Sequence, residues 1–222
     1  MAREYYEAYE DRYQQVHSMD LQWASDNPSP IVWEIMEAFQ RTGKFLEIGC
    51  GEGRDAAFLL NTGCDVLATD ISPNAIAYCR NKFPKWADHF QVLDCLSQRL
   101  EEKFDFIYAV AVVHMLVEDA HRDGFYAFLR EQLAENGIAL ICTMGDGEFE
   151  RRSDISNAFD LQERTHQQTG KTVRIASTSC RMVSFDTFRK ELKRNGLAVL
   201  KEGITSAEPD FNCMMYAVVK RI

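Results

Sequence analysis

Between Lys44 and Met144, short apolar runs alternate with helix-like stretches through five successive strands. "KFLEI" leads into a glycine-rich loop and a helix predicted over Arg54–Asn61, which Gly63 closes. "DVLATD" leads to "SPNAIAYCRNKF", where Ser72 reads as an N-cap and Pro73 as the first helical residue. "FQVLD" and "FDFIYAVAV" supply the third and fourth strands. A helix over Asp119–Ala134 puts Phe125, Phe128, Leu129 and Leu133 on one face, with Asn136-Gly137 as its expected stop. "IALICTM" is the fifth strand. Strands this continuously apolar are covered on both faces, so the alternation dictates an α/β, doubly wound, Rossmann-like sheet with right-handed crossovers.

The pattern changes after Met144. Residues Glu148 to Val183 show no clean periodicity apart from a strand-like "TVRIA". A segment of that length inside a domain is usually functional or mobile. Ser184 then caps a helix with Phe185, Phe188 and Leu192 inward, Asn195-Gly196 stops it, and "LAVLKEGI" and "NCMMYAVVKRI" read as two closing strands. Ahead of the alternation lie a helix from about Arg3 to Met19 with Tyr6, Tyr9 and Tyr13 at helical spacing, a loop "DLQWASDNPSP", and a helix from about Ile31 to Arg41.

A chain of 222 residues fits one domain, and 46% hydrophobic content is enough to bury a sizeable core. The formal charge of −9 argues against a broad nucleic-acid footprint and favours a neutral or cationic small molecule, or a protein, as partner. Seven cysteines without a CxxC pair sit mostly in apolar runs, which fits a reducing compartment. "MAREYYEAYEDRYQQ" is charged and aromatic, unlike a signal peptide, and the run "AVAVVHMLV" is too short to span a bilayer. The expectation is a cytoplasmic protein without a membrane partner. His17, His89, His121 and His166 show no ligand spacing, so no metal is expected.

The loop "GCGEG" brings backbone close to a ligand, because a Cβ would collide there. It lies at the carboxyl edge of the sheet, where ligands of such folds bind. Asp70, at the end of the next strand and seventeen positions after Gly53, is placed to accept hydrogen bonds from ribose hydroxyls. A dinucleotide site requires G-x-G-x-x-G, but here the last glycine comes one position early and Arg54 fills the final slot. Glu47 and Glu52 add negative charge, which suits an ammonium or sulfonium ligand better than a pyrophosphate.

"LEIGCGEGRDAAFL" followed by "VLATDISPNAIAYCR", then "VLDC" and "FDFIYAVAVVHML", resembles the class I S-adenosylmethionine-dependent methyltransferases over roughly Gly43 to Gly145. "GEGRDAAFL" and "W…NPSP" are loosely similar to the small-molecule branch near tellurite- and thiopurine-type enzymes. The resemblance implies a seven-stranded sheet, mostly parallel with an antiparallel last strand, in a single domain 1–222 with a helical lid about 1–28 and a substrate-side insertion about 148–183. It implies S-adenosyl-L-methionine as cofactor, S-adenosyl-L-homocysteine as product, and a small-molecule acceptor methylated at O, N or S. Glu47, Gly49 and Gly51 would face the amino-acid end of the cofactor, with Cys50 and Gly53 completing the loop. Asp70 would bind ribose, Ile71 would flank adenine, Asp94 and Cys95 would meet its polar edge, and Ala111 would lie under the methionine portion.

His114, just past the fourth strand, is the candidate general base, weighed against a histidine that only hydrogen-bonds backbone or contacts the cofactor. Tyr9, Trp23, His114, Asp146, Arg174 and Arg181 are the candidate acceptor contacts. The alternatives are a nucleic-acid or protein methyltransferase, a transferase using decarboxylated cofactor, an NAD-dependent oxidoreductase, or a non-catalytic nucleotide-binding module. The run "AVAVVHML" lacks the Asn/Asp-Pro-Pro-aromatic signature of amino-methylating nucleic-acid enzymes.

Overall fold

The computed structural model describes residues 3–222; residues 1 and 2, at the start of the expected lid, lie outside the described residues. In chain order the elements are α1 (Ala8–His17), α2 (Pro30–Ala38), β1 (Lys44–Ile48), α3 (Arg54–Asn61), β2 (Asp65–Asp70), α4 (Pro73–Lys82), β3 (Phe90–Val92), β4 (Phe104–Val110), α5 (Asp119–Gln132) and β5 (Leu133–Met144). They continue as β6 (Arg151–Arg152), β7 (Leu161–Thr165), β8 (Thr172–Ala176), β9 (Arg181–Met182), α6 (Phe185–Arg194), β10 (Leu197–Ala207) and β11 (Phe211–Arg221). Seven strands form one sheet in the order β10-β11-β5-β4-β1-β2-β3. The β3-to-β5 half is parallel, and β11 runs antiparallel to both β5 and β10. Strand order reverses between β1 and β4, which opens a crevice at their carboxyl ends.

Alternation along β1 explains the two layers. Phe45 joins the cluster that α2, α3 and α4 bury through Ile35, Leu59 and Ile76. Leu46 and Ile48 join the opposite cluster, which α5 and α6 bury through Phe125, Leu129, Phe188 and Leu192. The caps follow the local chemistry: Ser72 Oγ accepts from Ala75 N at 3.0 Å, and Ser184 Oγ from Thr187 N at 3.3 Å.

Asn136-Gly137 does not stop a helix. The chain turns extended at Leu133, and β5 begins there, opposite Phe104. A register shift between Phe104 and Phe106 takes up the intervening residues. Gly137 is a close-approach glycine, since a Cβ would meet the Phe104 carbonyl oxygen at 2.7 Å. The segment without periodicity contains two small antiparallel pairs, β7–β8 and β6–β9. Its strand β8 packs on α1: Val16, Val173 and Ile175 are buried together with Leu21 and Trp23 beside them. The N-terminal helix and the insertion therefore form one layer at the carboxyl edge of the sheet.

Candidate active site

β1 ends in three glycines with left-handed backbone: Gly49 (φ 71°), Gly51 (φ 53°) and Gly53 (φ 79°). Two are needed for space as well as for φ. A Cβ on Gly49 would strike Val112 Cγ2 at 2.4 Å, and one on Gly51 would meet the Tyr13 hydroxyl at 2.7 Å. The turn points the Gly51 amide at Asp70, whose Oδ2 accepts it at 2.9 Å, while Oδ1 accepts from Ser72 N at 2.9 Å. Asp70 is buried, and that burial pushes its carboxyl up to about 6.

These groups border a cavity at the switch point, lined by Ile48, Gly49, Asp70, Ile71, Leu93, Asp94, Cys95 and Leu96 from the β1, β2 and β3 ends, and by Val112, Met115 and Leu116 after β4. Tyr6, Tyr9 and Tyr13 cover it from one face of α1 and the turn before it. Asp94 is braced by Leu96 N at 2.9 Å and Ser97 Oγ at 2.6 Å. Burial pushes the Cys95 thiol up to about 12, so it is a neutral, apolar wall.

Of the expected cofactor residues, Gly49, Asp70, Ile71, Asp94 and Cys95 line the cavity, and Gly51 presents its backbone to Asp70 beneath Tyr13. Gly53 shapes the loop as the αL N-cap of α3, and Cys50 is buried beneath it. Ala111 is buried with φ 59° and donates its amide to Cys142 O at 2.9 Å, so it acts through the bend it puts after β4. Glu47 points into the α2–α3 layer. Burial holds its carboxyl well above the usual range, and the Tyr108 hydroxyl donates to it at 3.2 Å.

Among the acceptor candidates only Tyr9 lines the cavity. Trp23 lies over the Arg12 guanidinium, 4.9 Å away, outside the cavity wall. Asp146 is exposed and turns its Oδ1 back to accept from Glu148 N and Phe149 N at 2.9 and 2.8 Å. Arg174 is exposed on β8. Arg181 pairs with Asp119 at 2.6 Å and lies 3.6 Å from Glu191, so it is a structural tie. His114 is buried, and burial together with the Arg122 and Arg12 charges pushes it down to about 3. An imidazole this hard to protonate is a poor proton acceptor at neutral pH, and His114 is not among the residues that line the cavity, which counts against the general-base expectation. His114→Asn is expected to leave both limbs of the pH–rate profile in place, and a lost limb would restore the base role.

Local patterns do not announce the residues that hold the N-terminal layer down. Glu52, between Gly51 and Gly53, accepts from His17 Nε2 at 2.9 Å, Trp23 N at 2.7 Å and Ala24 N at 2.7 Å. Glu10 accepts from Ser72 Oγ and from Asn74 at the start of α4. Asp55 takes Ser29 N and Oγ at 2.5 and 2.8 Å, and Arg54 pairs with Asp210. The acids of the glycine loop thus anchor the chain that covers the cavity.

Residues 46–139 match the family model described as "Methyltransferase domain". Hemagglutinin 1 of Eikenella corrodens is 40% identical over 119 residues, which is 50% of this chain and 38% of that protein. A malonyl-[acyl-carrier protein] O-methyltransferase of Acetivibrio thermocellus is 32% identical over 95 residues, 37% of this chain and 34% of that protein. The alignments therefore span little more than a third of either curated relative. In structure, an S-adenosylmethionine-dependent methyltransferase from Clostridium acetobutylicum superposes over 97% of this chain and 98% of its own, with TM-score 0.66 and 15% identity. Residues 46–139 are thus similar to the methyltransferase-domain family, and the chain as a whole shares the fold of that enzyme. Among the described residues no helix is long and apolar enough to cross a membrane, and no cluster of three His, Cys, Asp or Glu could hold a metal ion.

Proposed function

We propose that the cavity binds S-adenosyl-L-methionine and that the protein transfers its methyl group to an O, N or S atom of a small-molecule acceptor by direct in-line displacement, releasing S-adenosyl-L-homocysteine. The observation that carries this reading is the Gly51–Asp70 pairing at the mouth of an apolar cavity. Asp70 keeps acceptor capacity for ribose hydroxyls, while Ile71, Leu93 and Leu96 offer apolar walls to a flat base, with Asp94 at its edge.

Bound there, the cofactor supplies an already activated methyl on a cationic sulfur. The chain's own task is then to position the acceptor and exclude water. The layer of α1, the strap at residues 17–29 and the insertion at 148–183 serves as that lid, which Glu52, Glu10 and Asp55 hold shut. No base in the site is required for an acceptor that is unprotonated at working pH. The acylated-carrier acceptor in one relative's name supports a small organic group. The acidic net charge favours such a partner over nucleic acid, and cysteine usage favours a cytoplasmic setting.

Calorimetry tests the reading cheaply. S-adenosylmethionine and S-adenosylhomocysteine are expected to bind in the micromolar range, and NAD is not. Binding of NAD alone would overturn it in favour of an oxidoreductase, and binding of none of the three would leave only the fold.

A further inference from the structure

Among the described residues, Arg12 is a buried cation without an acid partner. Its Nη2 donates to Ala176 O at 3.0 Å, Ser177 O at 2.8 Å and Thr178 Oγ1 at 2.7 Å, all uncharged. Its Nε is buried without a partner, and Nη1 makes no hydrogen bond among the described residues. The Trp23 and Tyr9 rings flank the guanidinium at 4.9 and 5.2 Å. Arg122, elsewhere in the same chain, shows what a buried structural arginine looks like here. It grips the Glu191 carboxylate through Nε and Nη2 at 2.9 and 2.6 Å and spends Nη1 on two carbonyls. Buried charges are ordinarily paired in that way.

A second orphan sits close by. Buried His114 Nδ1 has no partner among the described residues. The two sites are joined by a short relay: Arg12 bonds Thr178, the next residue Ser179 donates Oγ to Met115 O at 2.7 Å, and Met115 follows His114. The Tyr9 hydroxyl donates to Ser179 O at 3.1 Å. Tyr9 and Met115 both line the cofactor cavity, so the hydrogen bonds that join the two orphans run through residues of its wall.

The geometry points to an oxyanion subsite for the methyl acceptor at Arg12, with His114 as its hydrogen-bonding neighbour. The acceptor is thus a small acid, bearing a carboxylate or a phosphate, that supplies the charge the guanidinium lacks. The inference rests on the methyltransferase reading, because it places the acceptor against the cofactor cavity. Neutral histidine suits the role, since it adds a hydrogen bond and no second buried charge.

The test uses the full chain saturated with S-adenosylhomocysteine and titrated with benzoate, phenyl phosphate and neutral benzamide. At least one of the two anions is expected to bind at least tenfold tighter than benzamide, and which one it is separates carboxylate from phosphate. Arg12→Gln is expected to erase that preference with homocysteine-product affinity unchanged, and Arg12→Lys to keep part of it. The unchanged affinity shows that the variant is folded, and Arg12→Lys serves if Arg12→Gln fails to fold. Equal binding of benzamide, no binding of either anion, or a preference that survives Arg12→Gln overturns the subsite. Failure of the wild type to bind S-adenosylhomocysteine overturns the underlying reading instead.

Discussion

Asp70→Ala is expected to weaken cofactor binding about 100-fold, which corresponds to roughly 2.7 kcal/mol. Two effects add. The variant loses hydrogen bonds between a carboxylate and ribose hydroxyls, worth about 1.5–3 kcal/mol where charge is involved. It also strands the Gly51 and Ser72 amides, which now bond Oδ2 and Oδ1 at 2.9 Å each. Asp70→Asn tests the charge separately. It keeps the shape, but one of its two ends must present N–H groups to an amide that is itself a donor, so it too should lose most of the affinity. A Kd for S-adenosylhomocysteine within threefold of wild type in both variants would remove Asp70 from the site.

The same residue sets a pH dependence. Burial raises its carboxyl from 3.8 to about 6 in the folded protein. Protonation removes the acceptor, so cofactor affinity is expected to be flat above pH 7 and to fall about tenfold per pH unit below 6. Stability of the cofactor-free protein moves the other way. The folded state holds the proton more tightly than the unfolded one. This group's contribution is therefore complete below pH 4 and is lost, by about 3 kcal/mol, as pH rises through 6. Calorimetric titration from pH 5 to 8, together with melts of the free protein, reads both trends. A pH-independent Kd would place the Asp70 titration elsewhere.

Much of the sheet was legible because each strand needs only a local signal. Apolar runs bounded by glycine mark β1 and β2, and helix α3 runs over the residues its periodicity indicates, Arg54–Asn61. Gly137 misled because a glycine after a helix resembles a stop, whereas its purpose is the approach of the Phe104 carbonyl on a distant strand. The site divided along the same line. Gly51 and Asp70 carry motif and position together. Tyr6, Tyr9 and Tyr13 show helical spacing, but spacing cannot say which face meets a cavity. Asp146 and Arg181 carry charge near the right edge, but Asp146 accepts from the neighbouring Glu148 and Phe149 amides and Arg181 pairs with Asp119. Glu52 and Arg12 act on partners 28 to 166 residues away, and no local pattern encodes such pairings.

The largest expected loss of stability belongs to Glu191. This carboxylate is 1% exposed and receives Arg122 Nε and Nη2 and the Tyr126 hydroxyl, the last at 2.8 Å. Glu191→Ala would leave the fully buried Arg122 without its counter-charge, and breaking such a pair from one side costs about 3–5 kcal/mol. For a domain of this size that corresponds to a fall in Tm of roughly 10 °C. The double variant Arg122→Met/Glu191→Leu is expected to recover a good part of the loss, because it removes the stranded charge along with the pair. It should not recover cofactor affinity. Arg122 Nη1 also holds the Val113 and Leu116 carbonyls at 2.7 and 3.3 Å, and that turn carries Val112, Met115 and Leu116 into the cavity wall. The pair thus separates two quantities that usually move together: melting temperature follows the uncompensated charge, and cofactor Kd follows the grip of Arg122 on the turn. If Glu191→Ala melts within 2 °C of wild type, the charge is not stranded as the geometry requires. If the double variant binds S-adenosylhomocysteine as tightly as wild type, the turn keeps its shape without the guanidinium.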